Sequence, residues 1–298
     1  MRLDGRRTSR NIIDRRGSSS PGGGLGGGFN FGGGGGRGFR IGGVSGLIGL
    51  IIVILIALFG DGDGSTNYKF AGTEDPYVSK ADEDSIARFV SQILAGTEDV
   101  WTEKFREMGR TYVPPELVMF TGSVNSACGG ADASVGPFYC SADQTIYIDL
   151  SFFKEMENEM DAGGDFAYAY VIAHEVGHHV QYLLGTLSQA HSAMGRMSAK
   201  EANKMSVRTE LQADFYAGVW ANGDNEMFGS LEEGDIEEGL NAASKIGDDY
   251  LQKKARGYAQ PETFNHGTSE QRMRWLRRGL QTGNVAYGDT FTPAYGSL

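Results

Sequence analysis

The sequence predicts a mainly helical α+β domain that carries a small antiparallel-type sheet and is preceded by one transmembrane helix. Three observations predict it. Long stretches after residue 80 repeat apolar residues at helical spacing, as Ile86, Phe89, Val90, Ile93 and Leu94 do. Short β-branched and aromatic runs, Leu117 to Phe120, Phe138 to Cys140 and Thr145 to Leu150, lie between glycine-rich and polar connections. A charge-free apolar run from Val44 to Phe59 approaches the length needed to cross about 30 Å of hydrocarbon.

A chain of 298 residues holds one sizeable domain plus extensions. Its net charge of −11 is unevenly spread: residues 1–43 carry +6, which leaves −17 for the remainder. Residues 17–43 are mostly glycine and serine, a composition that cannot bury a core, so 1–43 reads as a disordered, basic, Gly-rich cytoplasmic tail. Gly36-Arg37-Gly38-Phe39 faintly resembles RNA-binding Arg/Gly segments. An apolar span follows at once, which favours arginines that set membrane orientation, and no nucleic acid is expected as a partner. The leader before 44–60 is too long for a normal signal peptide, and Phe59-Gly60-Asp61 offers no small-x-small cleavage pattern. An uncleaved single span is the expectation. It places the amino terminus in the cytoplasm and, after a linker over 61–80, a periplasmic domain over 81–298 anchored in the inner membrane.

Within that domain, Asp82 to Met108 reads as two helices broken near Gly96, and Pro114-Pro115 ends the unit. Cys128 and Cys140 are the only cysteines. Outside the cytoplasm they would form a disulfide, and inside it two free thiols. Ser151 to Met160 reads as a short helix with a serine cap, and Asp165 as the cap of the next helix, which Gly185 stops. Ala199 to Trp220 and Leu231 to Tyr258 read as two further helices. Thr268 or Ser269 caps the last one, which runs through Trp275 to Leu280.

The chemistry concentrates on Val171-Ile172-Ala173-His174-Glu175-Val176-Gly177-His178-His179-Val180. On a helix His174 and His178 lie one above the other and can offer two imidazoles to one metal ion. Glu175, about 100° around the helix, sits where a metal-bound water would be. Three of the five histidines fall here, between apolar flanks, where uncompensated imidazoles and a carboxylate would be costly. Zinc accepts neutral imidazole and lowers the pKa of its water to about 7, and a neighbouring carboxylate can then take the proton. A catalytic zinc needs a third protein ligand and an open position. Glu210 and Asp214 are again four apart on an apolar helix, so Glu210 is the candidate ligand. Asp214 would fix a ligating histidine through its far ring nitrogen. His191 reads as a surface or internally satisfied histidine.

The residues His174-Glu175-Val176-Gly177-His178-His179 with Glu210-Leu211-Gln212-Ala213-Asp214 resemble the Glu-liganded zincins, or gluzincins. They depart from the longer metzincin pattern at Gln181 and Leu184. The whole chain, from its basic tail to His266-Gly267-Thr268-Ser269-Glu270-Gln271-Arg272, resembles the bacterial neutral zinc metallopeptidases. That resemblance implies a zincin-like, membrane-anchored domain whose small sheet offers an edge strand to a peptide or protein substrate. It implies zinc held by His174, His178 and Glu210, with Glu175 as catalytic base. It also sets His266 near the active site, either as a catalytic donor to the developing oxyanion or as a capping and packing residue. The competing function is a non-catalytic, zinc-stabilised membrane scaffold. The intact Glu175, which a structural site does not need, favours catalysis.

Overall fold

The computed structural model describes residues 1–17, 80–132 and 135–298. In chain order they form β1 (Ile12–Asp14), α1 (Lys80–Glu107), β2 (Glu116–Phe120), β3 (Ser123–Ser126), β4 (Gly129–Asp132), β5 (Phe138–Cys140) and β6 (Thr145–Asp149). The helices α2 (Ser151–Asn158), α3 (Asp165–Leu184), α4 (Thr186–Met194), α5 (Ala199–Phe228), α6 (Asp235–Lys245), α7 (Asp248–Arg256) and α8 (Ser269–Thr282) follow.

The mainly helical expectation agrees with this architecture, but the antiparallel sheet is corrected. The larger sheet is mixed, in the order β1-β2-β6-β5. β1 pairs with β2 and β2 with β6 in parallel, and only β5 runs antiparallel to β6. β3 and β4 form a separate antiparallel hairpin. Along β2, Leu117 and Met119 join the main helical core, while Val118 and Phe120 face a smaller cluster with Val124, Phe138 and Tyr147. A strand buried on both faces reads as an unbroken apolar run, which is the pattern of parallel pairing.

The amino-terminal segment corrects the disordered-tail expectation over its first seventeen residues. Ile12, Ile13 and Asp14 pair with Leu117, Val118 and Met119. Two of the arginines read as tail charges, Arg6 and Arg7, meet acids on the helices. Arg6 makes a two-pronged contact with buried Asp224 at 3.2 and 2.7 Å, and Arg7 reaches Glu98 and Asp99. The Met1 ammonium bonds Asp165 and Asp235.

The predicted transmembrane helix is also corrected. Among the described residues, no helix is long and apolar enough to cross a membrane. Residues 44–60 themselves lie outside the described residues, as do 18–43 and 61–79.

Two helix boundaries differ for identifiable reasons. α1 runs through Gly96 without a break, because that glycine leaves room for the ion pair beneath it. A Cβ there would stand 2.6 Å from Asp224 Oδ1 and 2.8 Å from the Arg6 guanidinium. The single helix expected over Leu231 to Tyr258 is two, α6 and α7, separated at Gly247. Asp165 does not cap α3, since Gly164 holds that position and Asp165 receives the Met1 ammonium instead. α2 likewise begins without the Ser151 side-chain cap; Asp149 Oδ1 accepts the Ser151 N–H.

Candidate metal centre

Two buried helices build the site. α3 is apolar almost all round and stops at Gly185, which takes the left-handed conformation at φ 82°. α5 is capped by Ser198, whose side chain accepts the Glu201 N–H, and ends at Gly229. The helices meet where Gly177 lies on the backbone of Ala213. A Cβ on Gly177 would stand 2.9 Å from the Ala213 carbonyl oxygen and 3.1 Å from its Cα. This approach brings Glu210 to both imidazoles.

His174 Nε2 lies 3.2 Å from Glu210 Oε2, and His178 Nε2 lies 3.5 Å from Glu210 Oε1. One ligand atom from each of the three residues lies within 4.8 Å of the others, and all three residues are buried. Tetrahedral zinc with ligand bonds of about 2.0–2.1 Å needs donor atoms about 3.3 Å apart, so the donor set and spacing fit that ion. The trio behaves as a place that asks for positive charge. Burial would raise the Glu210 carboxyl, but the imidazoles of His178 and His174 and the nearby His266 hold it well below the usual carboxylate range. Burial would lower the His174 imidazole, yet Asp214 and Glu210 outweigh it and raise the group to about 9. Burial lowers His178 to about 4, the neutral form a metal ligand requires.

Asp214 holds the far nitrogen of His174, with Oδ1 2.8 Å from Nδ1. It sits in a network the sequence reading missed. The Tyr170 hydroxyl donates to Oδ1 at 2.6 Å, and Arg272 donates to both carboxylate oxygens at 2.9 Å. Arg272 and Asp214 are fully buried. The arginine arrives on α8, which is opened by a capping box of Thr268 and Gln271. α8 packs against α5 at Gly218 and Gly279, each seated on the other helix's backbone with no room for a Cβ. The other ligand's far nitrogen, His178 Nδ1, meets the side-chain oxygen of Gln181 at 2.9 Å.

Glu175 is buried beside the trio without belonging to it. Burial pushes its carboxyl up to about 8, against the lowering effect of His174 and of the Tyr139 N–H that donates to it. Tyr139 lies on β5, the edge of the mixed sheet. The next histidine, His179, faces away from the trio. Its Nε2–H donates to the Val113 carbonyl at 2.7 Å, so Nδ1 accepts from the Tyr139 hydroxyl at 2.9 Å. Cys140, at the end of β5, is disulfide-bonded to Cys128.

His266 is buried, with Nδ1 3.1 Å from Asp248 Oδ1. Asp248 Oδ2 also accepts the N–H groups of Asn265, His266 and Gly267 at 2.8, 2.7 and 2.9 Å. Burial would lower the His266 imidazole, but Asp248 outweighs it and raises it. A second acidic trio, Asp165, Asp235 and Glu238, is close enough to hold a cation, and the Met1 ammonium bonds two of its members.

The family described as "Putative neutral zinc metallopeptidase" matches residues 1–291. The chain belongs to this family. It is 46% identical over 294 residues to "Uncharacterized protein YpfJ" of Escherichia coli K12, covering 98% of this chain and 99% of that protein. It is 41% identical over 217 residues to "Uncharacterized protein Rv2575" of Mycobacterium tuberculosis H37Rv, covering 70% of this chain and 72% of that one. No solved structure matches. The match to this zinc metallopeptidase family begins at residue 1, so it takes in the docked amino-terminal segment as well as the metal centre.

The structure brings His174, His178, Glu210 and Asp214 together, with Glu175 beside them. His266 and Asp248 form a separate pair whose charge reaches Glu210. The missed residues are Tyr170, Gln181, Asp248 and Arg272. Gln181 offered a signal, a polar side chain one turn beyond His178 on an otherwise apolar helix.

Proposed function

We propose that the protein is a zinc-dependent peptidase of the gluzincin type, with His174, His178 and Glu210 as ligands. The observation that carries this reading is the buried trio with Glu175 alongside. Zinc bound there would polarise the scissile carbonyl and lower the pKa of water to about 7. Glu175 would take a proton from an attacking water there and return it to the leaving amine. In the metal-free protein burial raises the Glu175 carboxyl to about 8, and a cation beside it would favour the ionised form that a base requires. A purely structural metal site would gain nothing from this buried, non-ligating acid, which favours catalysis over a scaffold role.

Asp214 fixes His174 in the tautomer that leaves Nε2 free for the metal. His266, whose imidazole is raised by its pairing with Asp248, would donate to the oxygen that gains charge as the carbonyl is attacked. The substrate is a peptide or protein segment, and the reading places it along the β5 edge beside Glu175. The Cys128–Cys140 disulfide supports a proposal that the domain works outside the cytoplasm.

The experiment measures zinc content and hydrolysis of a denatured protein substrate for wild type and Glu175→Gln. The expected result is unchanged zinc content with turnover reduced roughly 100- to 10,000-fold. Equal turnover would overturn the reading.

A further inference from the structure

We propose that the segment 284–298 is a positioning element for the metal centre, acting on His178 through a chain of two buried glutamines. The inference rests on the zinc reading above, and it concerns how one ligand is held rather than what is cleaved.

The chain begins at His178 Nδ1, 2.9 Å from Gln181 Oε1. The Gln181 amide nitrogen donates to the Thr209 carbonyl at 2.8 Å and to Gln212 Oε1 at 3.1 Å. The Gln212 amide nitrogen donates to the Gly288 carbonyl at 2.7 Å. All of these side chains are buried. A glutamine side chain can be turned either way, and only its neighbours decide which end faces which. Here two backbone carbonyls decide. A carbonyl can only accept, so the Gly288 oxygen forces Gln212 to present its nitrogen there and its oxygen toward Gln181. The Thr209 and Gln212 oxygens then force Gln181 to present its nitrogen to them and its oxygen to His178. His178 must answer with an N–H at Nδ1, which leaves the Nε2 lone pair facing Glu210 and the metal.

The two ligating histidines are therefore fixed by different means. His174 is held by a charged network of Asp214, Arg272 and Tyr170 inside the helices. His178 is held by neutral amides whose far end lies in 284–298. That segment is seated on α5 by more than one bond. Arg208 donates to the Thr290 and Pro293 carbonyls, and the Thr290 hydroxyl donates back to the Arg208 carbonyl. Arg208 and Gln212 are four residues apart on one face of the helix that carries Glu210. Zinc binding and the docking of 284–298 are coupled, and the coupling is reciprocal.

The test uses the full chain and two readouts that do not depend on hydrolysis. One is zinc affinity, by competition with a chromogenic chelator, together with the visible absorption of the cobalt-substituted protein. The other is hydrogen exchange of 284–298 with and without zinc. Gln212→Leu, which touches no ligand, should weaken zinc binding about tenfold or more and alter the cobalt spectrum. Zinc should slow exchange in 284–298 of wild type and lose that effect in Gln212→Leu. Arg274→Ala frees the Leu298 end of the segment but leaves the amides intact, so it should bind zinc as wild type does. If Gln212→Leu does not fold, Gln212→Glu serves, since it keeps the acceptor toward Gln181 and loses the donor toward Gly288. Unchanged zinc affinity in a folded Gln212 variant would overturn the proposal. So would exchange in 284–298 that ignores zinc. A wild type that binds zinc tightly but cleaves nothing would overturn the peptidase reading and leave this one standing.

Discussion

Gly177 lies against Ala213 so closely that the place a Cβ would take is 2.9 Å from the Ala213 carbonyl oxygen. This contact sets the distance between the helix of the two histidines and the helix of Glu210. A methyl group there must move one helix by several tenths of an ångström, and neither backbone can yield locally. Gly177→Ala should cost about 1–3 kcal/mol in overpacking. Zinc affinity should fall about tenfold or more, because the Glu210 oxygens leave the imidazoles. Chemical denaturation of the metal-free protein and zinc competition would show both effects. Wild-type zinc affinity would mean the helix spacing does not control the site.

Arg272 is the only positive charge that reaches Asp214 from α8, and neither side chain touches solvent. Arg272→Leu would leave a carboxylate buried with only the Tyr170 and His174 donors. Removing one member of a buried pair typically costs about 3–5 kcal/mol, more than the pair itself contributes. Denaturant titration of the metal-free variant should show a loss in that range, and one below about 1 kcal/mol would contradict it. The companion Asp214→Asn should recover part of the loss in the double variant, because it removes the stranded charge.

Much of the centre was legible in the sequence because helical spacing is a strong signal. Two i,i+4 pairs, His174/His178 and Glu210/Asp214, name candidate ligands and a candidate orienting residue without any tertiary information. The groups that complete the site come from far along the chain. Asp248 and Arg272 reach it only because α7 and α8 fold back, and an isolated charge carries no mark of its partner. Of the strands, β2, β5 and β6 were legible, but β1 and the β3–β4 hairpin were not, and the unbroken apolar run of β2 names no partner for it. The amino-terminal segment failed for a different reason. Its glycine-rich continuation and the apolar run after it suggested a membrane tail, while the acids that bind Arg7 and Arg6 lie 91 to 218 residues away.

That segment gives the third prediction. Arg6 holds Asp224, which is fully buried between α1 and α5, and Gly96 leaves the space for the pair. Arg6→Ala should destabilise by about 3 kcal/mol through the stranded Asp224. Gly96→Ala should do similar damage by a different route, forcing the pair apart while leaving both charges present. Thermal melting of the two single variants and their combination tests this. The double variant should lose little more than the worse single one, because both act on one contact. Full additivity would mean the two residues act independently.

The disulfide gives the fourth. Cys140 ends the edge strand β5, next to the Tyr139 N–H that donates to Glu175. Opening a loop of 12 residues should cost about 3 kcal/mol in the chain-entropy view. Cys128→Ala with Cys140→Ala should therefore lower the denaturation midpoint. Zinc content should be unchanged at temperatures where the domain stays folded, because no ligand lies on β5. Loss of zinc in a folded double variant would show that the strand supports the ligands directly.

The pairing of His266 with Asp248 sets a pH dependence whose sign follows from its cause. Burial alone would lower His266, and Asp248 raises it above its ordinary value of 6.5. A histidine raised on folding adds stability that is fully present below pH 6.5 and is lost as pH climbs through the raised value. Wild type should therefore lose stability across that window. In Asp248→Asn the burial remains and the largest raising charge is gone, leaving that of Glu210, so the His266 pKa should fall and the stability loss in the window should shrink. Following the His266 ring by NMR in the metal-free protein measures the shift directly. If charged His266 donates to the oxygen developing charge, the alkaline limb of kcat/KM should move to lower pH in Asp248→Asn, along with the ring. An alkaline limb that stays in place while the ring pKa falls would remove His266 from the reaction and leave it a residue that holds the loop before α8.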